Sequence, residues 1–292
     1  TEMLPTAWAA GSDSFLGFID PDEYFQWVMD WDKNGIITDE RLEEALTRIL
    51  VTKAALGLQK KAKTEILPEK EVAMAKIGLE ENKAIAKEVS DKAITLVKNT
   101  QDVLPIAPEK TKRVLLVEAK GFDGGFGKFI EIMGGAKKKP IEIVKELLEA
   151  KGFDVEIWES PIDKIMKLPK EEMAQALGNV YAGKRPIAEL TSKYDLIINI
   201  ANVNASVDQR LQWPPSKGTP DIPFYVNEIP TIFVSVKCPF HLADVPQVKT
   251  YINTYDDNQQ TLEALVEKLV GNSEFKGISP VDAFCGFGDT RF

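Results

Sequence analysis

Arg113-Val114-Leu115-Leu116-Val117-Glu118 is the stretch on which the fold turns. Its apolar residues run without alternation, which is the pattern of a strand buried on both faces. Downstream, a helical pattern near 140–151 precedes a strand at Val155–Trp158. Helical patterns within 170–192 precede a strand at Leu196–Ile200. Further strands are expected at Thr231–Val236 and Thr250–Asn253, with a closing helix over 258–270. Apolar strands separated by helices predict an α/β fold, a sandwich whose mostly parallel sheet is covered on both sides.

Upstream the pattern changes. A long amphipathic helix is expected over Leu79–Ala93. Gln59 to Lys70 is Lys-rich, ends in Leu67-Pro68, and reads as a linker. Before it, Ser14–Ile19 reads as one short strand. Pro21 opens a helix to about Asp30, and Thr38 caps a second helix to about Leu56, stopped by Gly57. One strand cannot make a sheet, so this segment is incomplete as a domain. The expected division is therefore residues 1–60 and residues 61–292.

Composition narrows the function. The 292 residues carry 45 acidic and 36 basic side chains, a net charge of −9, which argues against binding nucleic acid or an anionic membrane. No stretch approaches the roughly 20 apolar residues of a spanning helix. Cys238 and Cys285 are too few for a disulfide framework. They read as reduced thiols, which favours a cytoplasmic location. The chain begins at Thr1 without a signal pattern, and any targeting segment of a longer protein would lie before it.

Two motifs invite sharper readings. Asp30-Trp31-Asp32-Lys33-Asn34-Gly35 spaces its oxygens like a calcium loop, but Arg41 stands where a bidentate Glu is needed. The plainer reading is a capped turn between helices. Gly121-Phe122-Asp123-Gly124-Gly125-Phe126-Gly127-Lys128 follows a strand. It lacks the spacing of a phosphate cradle or a dinucleotide loop and reads as a loop at the sheet's carboxyl edge. No cofactor and no metal are expected, since His241 is the single histidine.

His241, just past a strand, is a candidate substrate contact or a structural hydrogen-bonding residue. Cys238 beside it reads as a buried, inert thiol. Asn202, Asn204, Asp208, Arg210 and Trp213 follow the 196–200 strand. Amides, a guanidinium and an indole suit sugar recognition, and also suit any polar loop. Asp20 ends the early strand, as a ligand contact or as a cap for the helix opened by Pro21.

Ala7-Trp8-Ala9-Ala10-Gly11-Ser12-Asp13-Ser14-Phe15-Leu16, Asn34 to Leu42, Arg48-Ile49-Leu50 and Lys53 to Leu58 resemble the end of a glycoside hydrolase family 3 barrel. Ala84 to Glu88, Ala93 to Asn99 and Leu104-Pro105-Ile106 resemble the entry to that family's second domain. Tyr251 to Tyr255, Leu262 to Gly271 and Phe275 to Val281 resemble its close. The pattern is most similar to bacterial β-N-acetylhexosaminidase-like members.

The resemblance implies the carboxyl-terminal part of a retaining β-glycosidase acting on a β-linked sugar, terminal N-acetylglucosamine above all. The family's catalytic Asp and its His–Asp pair map upstream of these residues. No catalytic residue is carried over, and this chain alone is expected to be inactive. The substrate-binding candidates are His241, Arg210, Trp213, Asn202, Asn204 and Asp20. The implied partner is the rest of a barrel. An uncovered barrel edge in residues 1–58 implies self-association or packing against the sandwich. The alternative readings are a non-catalytic carbohydrate-binding or interaction module, and a nucleotide-binding α/β domain.

Overall fold

Six strands lie side by side in the order β1-β7-β6-β4-β2-β3. They are β1 (Thr95–Asn99), β2 (Arg113–Gly121), β3 (Asp154–Ile157), β4 (Leu196–Ala201), β6 (Thr231–Ser235) and β7 (Thr250–Asn253), and a two-residue β5 (Leu211–Gln212) pairs with the end of β2. The computed structural model describes residues 3–17, 20–121, 138–165, 167–182, 187–203, 210–212 and 219–292. The chain forms two compact units, Thr1–Leu79 and Glu80–Phe292.

In the second unit β3, β2, β4, β6 and β7 run parallel, and β1 joins β7 antiparallel at one edge. The expected α/β sandwich is the observed fold. Every residue of β4 and of β6 is buried, which explains why their sequences are mostly apolar, with Asn199, Thr231 and Ser235 as buried polar exceptions. On one face Val114, Leu116, Ile198, Ile200, Ile232, Val234 and Ile252 pack on two helices. Pro140–Ala150 supplies Ile141, Val144 and Leu148, and Gln259–Leu269 supplies Leu262, Leu265 and Leu269. On the other face Phe233 and Tyr251 meet Leu242, from a short 3-10 segment, and Val245 and Val248 from the chain after it. Leu115, Val117 and Ile197 meet Leu190, Tyr194 and Tyr225.

β1 is a strand that periodicity did not mark. It leaves the Glu80–Ala93 helix and finds its place by pairing Thr95 with Asn253 and Leu96 with Ile252. From β2 the chain goes to β3 on one side and later to β4 on the other. Such a reversal opens a crevice at the carboxyl ends, where α/β sheets place ligands.

The first unit is helical among the described residues: Met3–Ala9, Pro21–Lys33, Asp39–Ala55, Lys63–Ile66 and Lys70–Met74. The expected strand at 14–19 does not form over Ser14–Gly17, and Phe18 and Ile19 lie outside the described residues. A strand needs a neighbour for its backbone groups, and none is described in this unit. Instead Arg41 holds the segment, with Nη2 donating to Ser12 O at 2.9 Å and to Asp13 Oδ1 at 2.7 Å. The expected linker carries a short helix, Lys63–Ile66, and a second, Lys70–Met74, starts at its last residue.

Asp30 and Asp32 lie inside the helix that ends at Lys33, so the calcium-like motif has helical backbone where chelation needs a loop. Gly57 stops the second helix at φ +66°, a conformation a glycine adopts without cost.

Candidate functional site

The carboxyl edge of β6 is built by backbone bonds between strand ends. Val236 N–H donates to Ala201 O at 2.8 Å, which lays the departing chain beside β4. Thr254 N–H donates to Ser235 O at 3.0 Å, which ties it to β7. Lys237–Phe240 then turns into a short 3-10 segment, His241–Ala243.

Three successive carbonyls of this turn are held. Ser235 Oγ donates to Cys238 O. Asn253 Nδ2 donates to Pro239 O at 3.2 Å. Ala243 N–H donates to Phe240 O at 3.2 Å, and Cys285 Sγ lies 3.9 Å from the same oxygen. Ser235 Oγ also lies 2.7 Å from His241 Nδ1. The hydroxyl has one hydrogen, and the Cys238 carbonyl takes it. Nδ1 must therefore carry the proton of this contact, which assigns the Nδ1–H form to the ring.

Asp244 closes the turn. Its Oδ2 accepts from Leu211 N–H at 3.1 Å, its Oδ1 lies 3.6 Å from Arg210 Nε, and its side chain is only 13% exposed. Behind it Tyr251 stacks on Phe233 with ring centroids 5.6 Å apart and planes 8° from parallel. Burial pushes the Tyr251 phenol up, opposed chiefly by the nearby Ser235 hydroxyl. Burial likewise pushes the Cys238 thiol up, so it stays protonated, as expected of an inert thiol and not of a nucleophile.

The sheet gathers three of the candidates at this edge. Asn202 follows β4, Arg210 precedes β5, and His241 follows β6. His241 is fully buried and engages Ser235, Arg210 is exposed, and Asn202 is half-buried. Asp20 belongs to the other unit, where its Oδ1 accepts from Asp22 N–H at 2.9 Å and Glu23 N–H at 3.2 Å, as a helix cap does. Asn204, Asp208, Trp213 and the glycine loop from Phe122 to Lys128 lie outside the described residues.

Ser235, Asn253 and Asp244 were not singled out from sequence. Asn253 carries a signal, since an amide inside a buried strand needs a partner.

At the opposite end of the strands a groove of 850 Å³ is lined by Arg113, Asp154, Glu156, Lys193 and Tyr194. Ion pairs occupy its charges: Arg113 lies 2.6 Å from Asp195 and Lys193 lies 2.8 Å from Glu156. The bond to Glu156 pushes Lys193 up to about 12. Among the described residues no group of three or more His, Cys, Asp or Glu side chains could hold a metal ion, and no helix is long and apolar enough to cross a membrane.

No family model matches the chain. Over 295 aligned residues it is 36% identical to a β-N-acetylglucosaminidase/β-glucosidase of Cellulomonas fimi, across 100% of this chain and 47% of that protein. It is similar to the solved structure of the β-glucoside phosphorylase BglX at 36% identity and TM-score 0.72, over 99% of this chain and 47% of that one. A β-glucosidase involved in saponin metabolism from intestinal bacteria, 17% identical with TM-score 0.55 over 93% of this chain and 41% of that one, shares the fold. The chain spans about half the length of the Cellulomonas fimi protein and of the BglX structure.

Proposed function

We infer that this chain, a glycosidase family member resembling the C-terminal part of glycoside hydrolase family 3 enzymes, serves as the cleft-lining part of a retaining β-glycosidase. The supporting observation is the end-to-end 36% identity with the Cellulomonas fimi enzyme, whose name covers both N-acetylglucosaminides and glucosides. The reading assigns this chain a substrate with a terminal β-linked sugar, N-acetylglucosamine first. Residues 1–60 are the last elements of a barrel, and residues 61–292 are the sandwich beside the cleft.

Protonating the leaving oxygen while the anomeric carbon is attacked takes two groups. On this reading they come from the partner barrel, so the chain by itself is inactive. Its own contribution is to shape and pre-order one wall of the cleft: buried bonds to Cys238 O and Pro239 O fix the turn after β6.

A second reading follows from the name of the BglX structure. A phosphorylase passes the glycosyl group to phosphate, where a hydrolase passes it to water. The non-catalytic carbohydrate-binding module is the third.

The test joins this chain to the barrel half and measures aryl release from β-N-acetylglucosaminide and β-glucoside, with and without inorganic phosphate. Release by the joined protein and none by the chain alone supports the glycosidase reading. Release that requires phosphate selects the phosphorylase. No release in any arm leaves the binding module.

A further inference from the structure

β3 closes the parallel sheet on one side, and among the described residues it pairs with β2 alone. Asp154 N–H donates to Lys112 O at 2.9 Å, and Trp158 N–H donates to Leu116 O at 2.8 Å. In a parallel ladder every second residue faces the neighbouring strand. Asp154, Glu156 and Trp158 therefore turn their backbone groups to β2, and Val155 and Ile157 turn theirs away from it. Lys145 agrees with this direction, since its Nζ donates to Val155 O at 3.1 Å. A flexible lysine, which also pairs with Glu149, is what the described residues place over this edge.

The side chains of β3 sort by face. Val155 and Ile157 are half-buried and pack against the core under the two helices. Asp154 and Glu156 are exposed on the other face, in register with Arg113 and Leu115. The 850 Å³ groove runs along the strand, with Asp154, Val155 and Glu156 in its wall. Both cations of the groove are engaged, Arg113 by Asp195 and Lys193 by Glu156. Two carboxylates are left over. Asp154 is 68% exposed and lies 4.0 Å from Lys112, and Glu189 is exposed with no ion pair among the described residues.

An unpaired strand edge recruits another strand. An added strand sets every second side chain beside Asp154, Glu156 and the groove, and the others beside Val155 and Ile157. Opposite charges attract across a strand pair, so the first set is basic. The second set is apolar and covers what Val155 and Ile157 leave in water. A second copy of β3 does not fit, because its own Asp154 and Glu156 would meet like charges.

We propose that the outer edge of β3, with the acidic groove beside it, docks an extended segment of a partner protein that alternates basic and apolar residues. The proposal concerns the amino end of the sheet and is independent of the glycosidase reading.

The experiment is an amide-resolved NMR titration of the chain with the end-blocked peptide Lys-Val-Lys-Val-Lys-Val. Saturable shifts on residues 154–158 and 189–194 are expected, with a dissociation constant on the order of 0.1–1 mM. The same peptide N-methylated on its lysines, or on its valines, keeps every charge. One of these two binds about tenfold more weakly and the other binds like the parent, because only one set of N–H groups faces β3. Asp154→Asn together with Glu189→Gln weakens binding about fivefold. The peptide Glu-Val-Glu-Val-Glu-Val does not bind. Equal affinities for the two methylated peptides would reduce the contact to ionic attraction and overturn the docking edge. Binding of the acidic peptide as tightly as the basic one, or an absence of saturable shifts at 154–158, overturns it as well.

Discussion

Ser235 Oγ sits 2.7 Å from His241 Nδ1 while donating its own hydrogen to Cys238 O. One hydroxyl thus satisfies a ring nitrogen and a carbonyl across a buried turn, and the single histidine is fixed in its tautomer and its orientation.

Ser235→Ala removes the partner of two buried polar groups at once. Unmade buried hydrogen bonds are costly, so the change lowers the unfolding free energy by about 1–3 kcal/mol. Urea denaturation followed by tryptophan fluorescence reads this. A midpoint identical to the parent's would mean that the pair is not formed in solution.

Lys268, with a side chain 0% exposed, lies in the closing helix and donates to Glu274 O at 2.6 Å and Ser273 Oγ at 3.1 Å. It also pairs with Asp91 at 3.0 Å. Lys268→Met is expected to cost about 1–3 kcal/mol, since charge-assisted bonds in a dry site are lost. Ser273 first, then Lys268, holds the Asp91 carboxyl below the usual carboxylate range. A depressed acid stabilises the fold fully above its unfolded pKa, near 4, and that contribution fades as pH falls through the lower folded value. The parent therefore loses stability on acidification below about pH 4. Asp91→Asn shows a smaller loss over that window, by thermal melts at stepped pH. Asp91 is 43% exposed, so solvent screening keeps the effect small.

Gly277 has no room for a methyl group. A Cβ there would lie 2.5 Å from Ile94 O, 2.6 Å from Ala93 O and 2.8 Å from Thr95 Oγ1. Two of these atoms are backbone oxygens between the end of the Glu80–Ala93 helix and β1, and cannot turn aside. Gly277→Ala should destabilise by about 1–3 kcal/mol, as overpacking does, and a melting temperature unchanged within error would refute the close approach.

Arg41 organises the first unit. Its Nε donates to Trp8 O at 3.0 Å, its Nη2 reaches Asp13 at 2.7 Å, and its guanidinium lies 5.5 Å from the Trp8 ring. Arg41→Lys keeps the charge but loses the fork, so residues 10–17 should be cut faster by protease than in the parent. Equal cleavage rates would show that charge alone suffices.

What could be read in the sequence was what local pattern controls. Pro21 and Thr38 mark helix starts, and Thr38 does cap its helix, accepting from Arg41 N–H. The apolar-rich runs at 113–118, 196–200 and 231–236 mark strands because both faces of a parallel sheet are dry. Asp20 behaves as a cap for the same local reason.

Pairing across the chain was not legible in the same way. Thr95–Asn99 became a strand through its bonds to Thr250–Asn253, and Ser14–Gly17 did not, because a strand is defined by its neighbours and not by its own residues.

By itself, the sequence determined the α/β class, the helix limits and the resemblance that the relatives extend over the full chain. The tertiary structure alone decided that Asn202, Arg210, Phe240, His241 and Asp244 meet at one edge. It also decided that His241 is buried behind Ser235 while Phe240 faces out. The physical reason is distance along the chain. Parallel strands bring their carboxyl ends together only after crossovers many residues long, and no spacing in the sequence records which ends become neighbours.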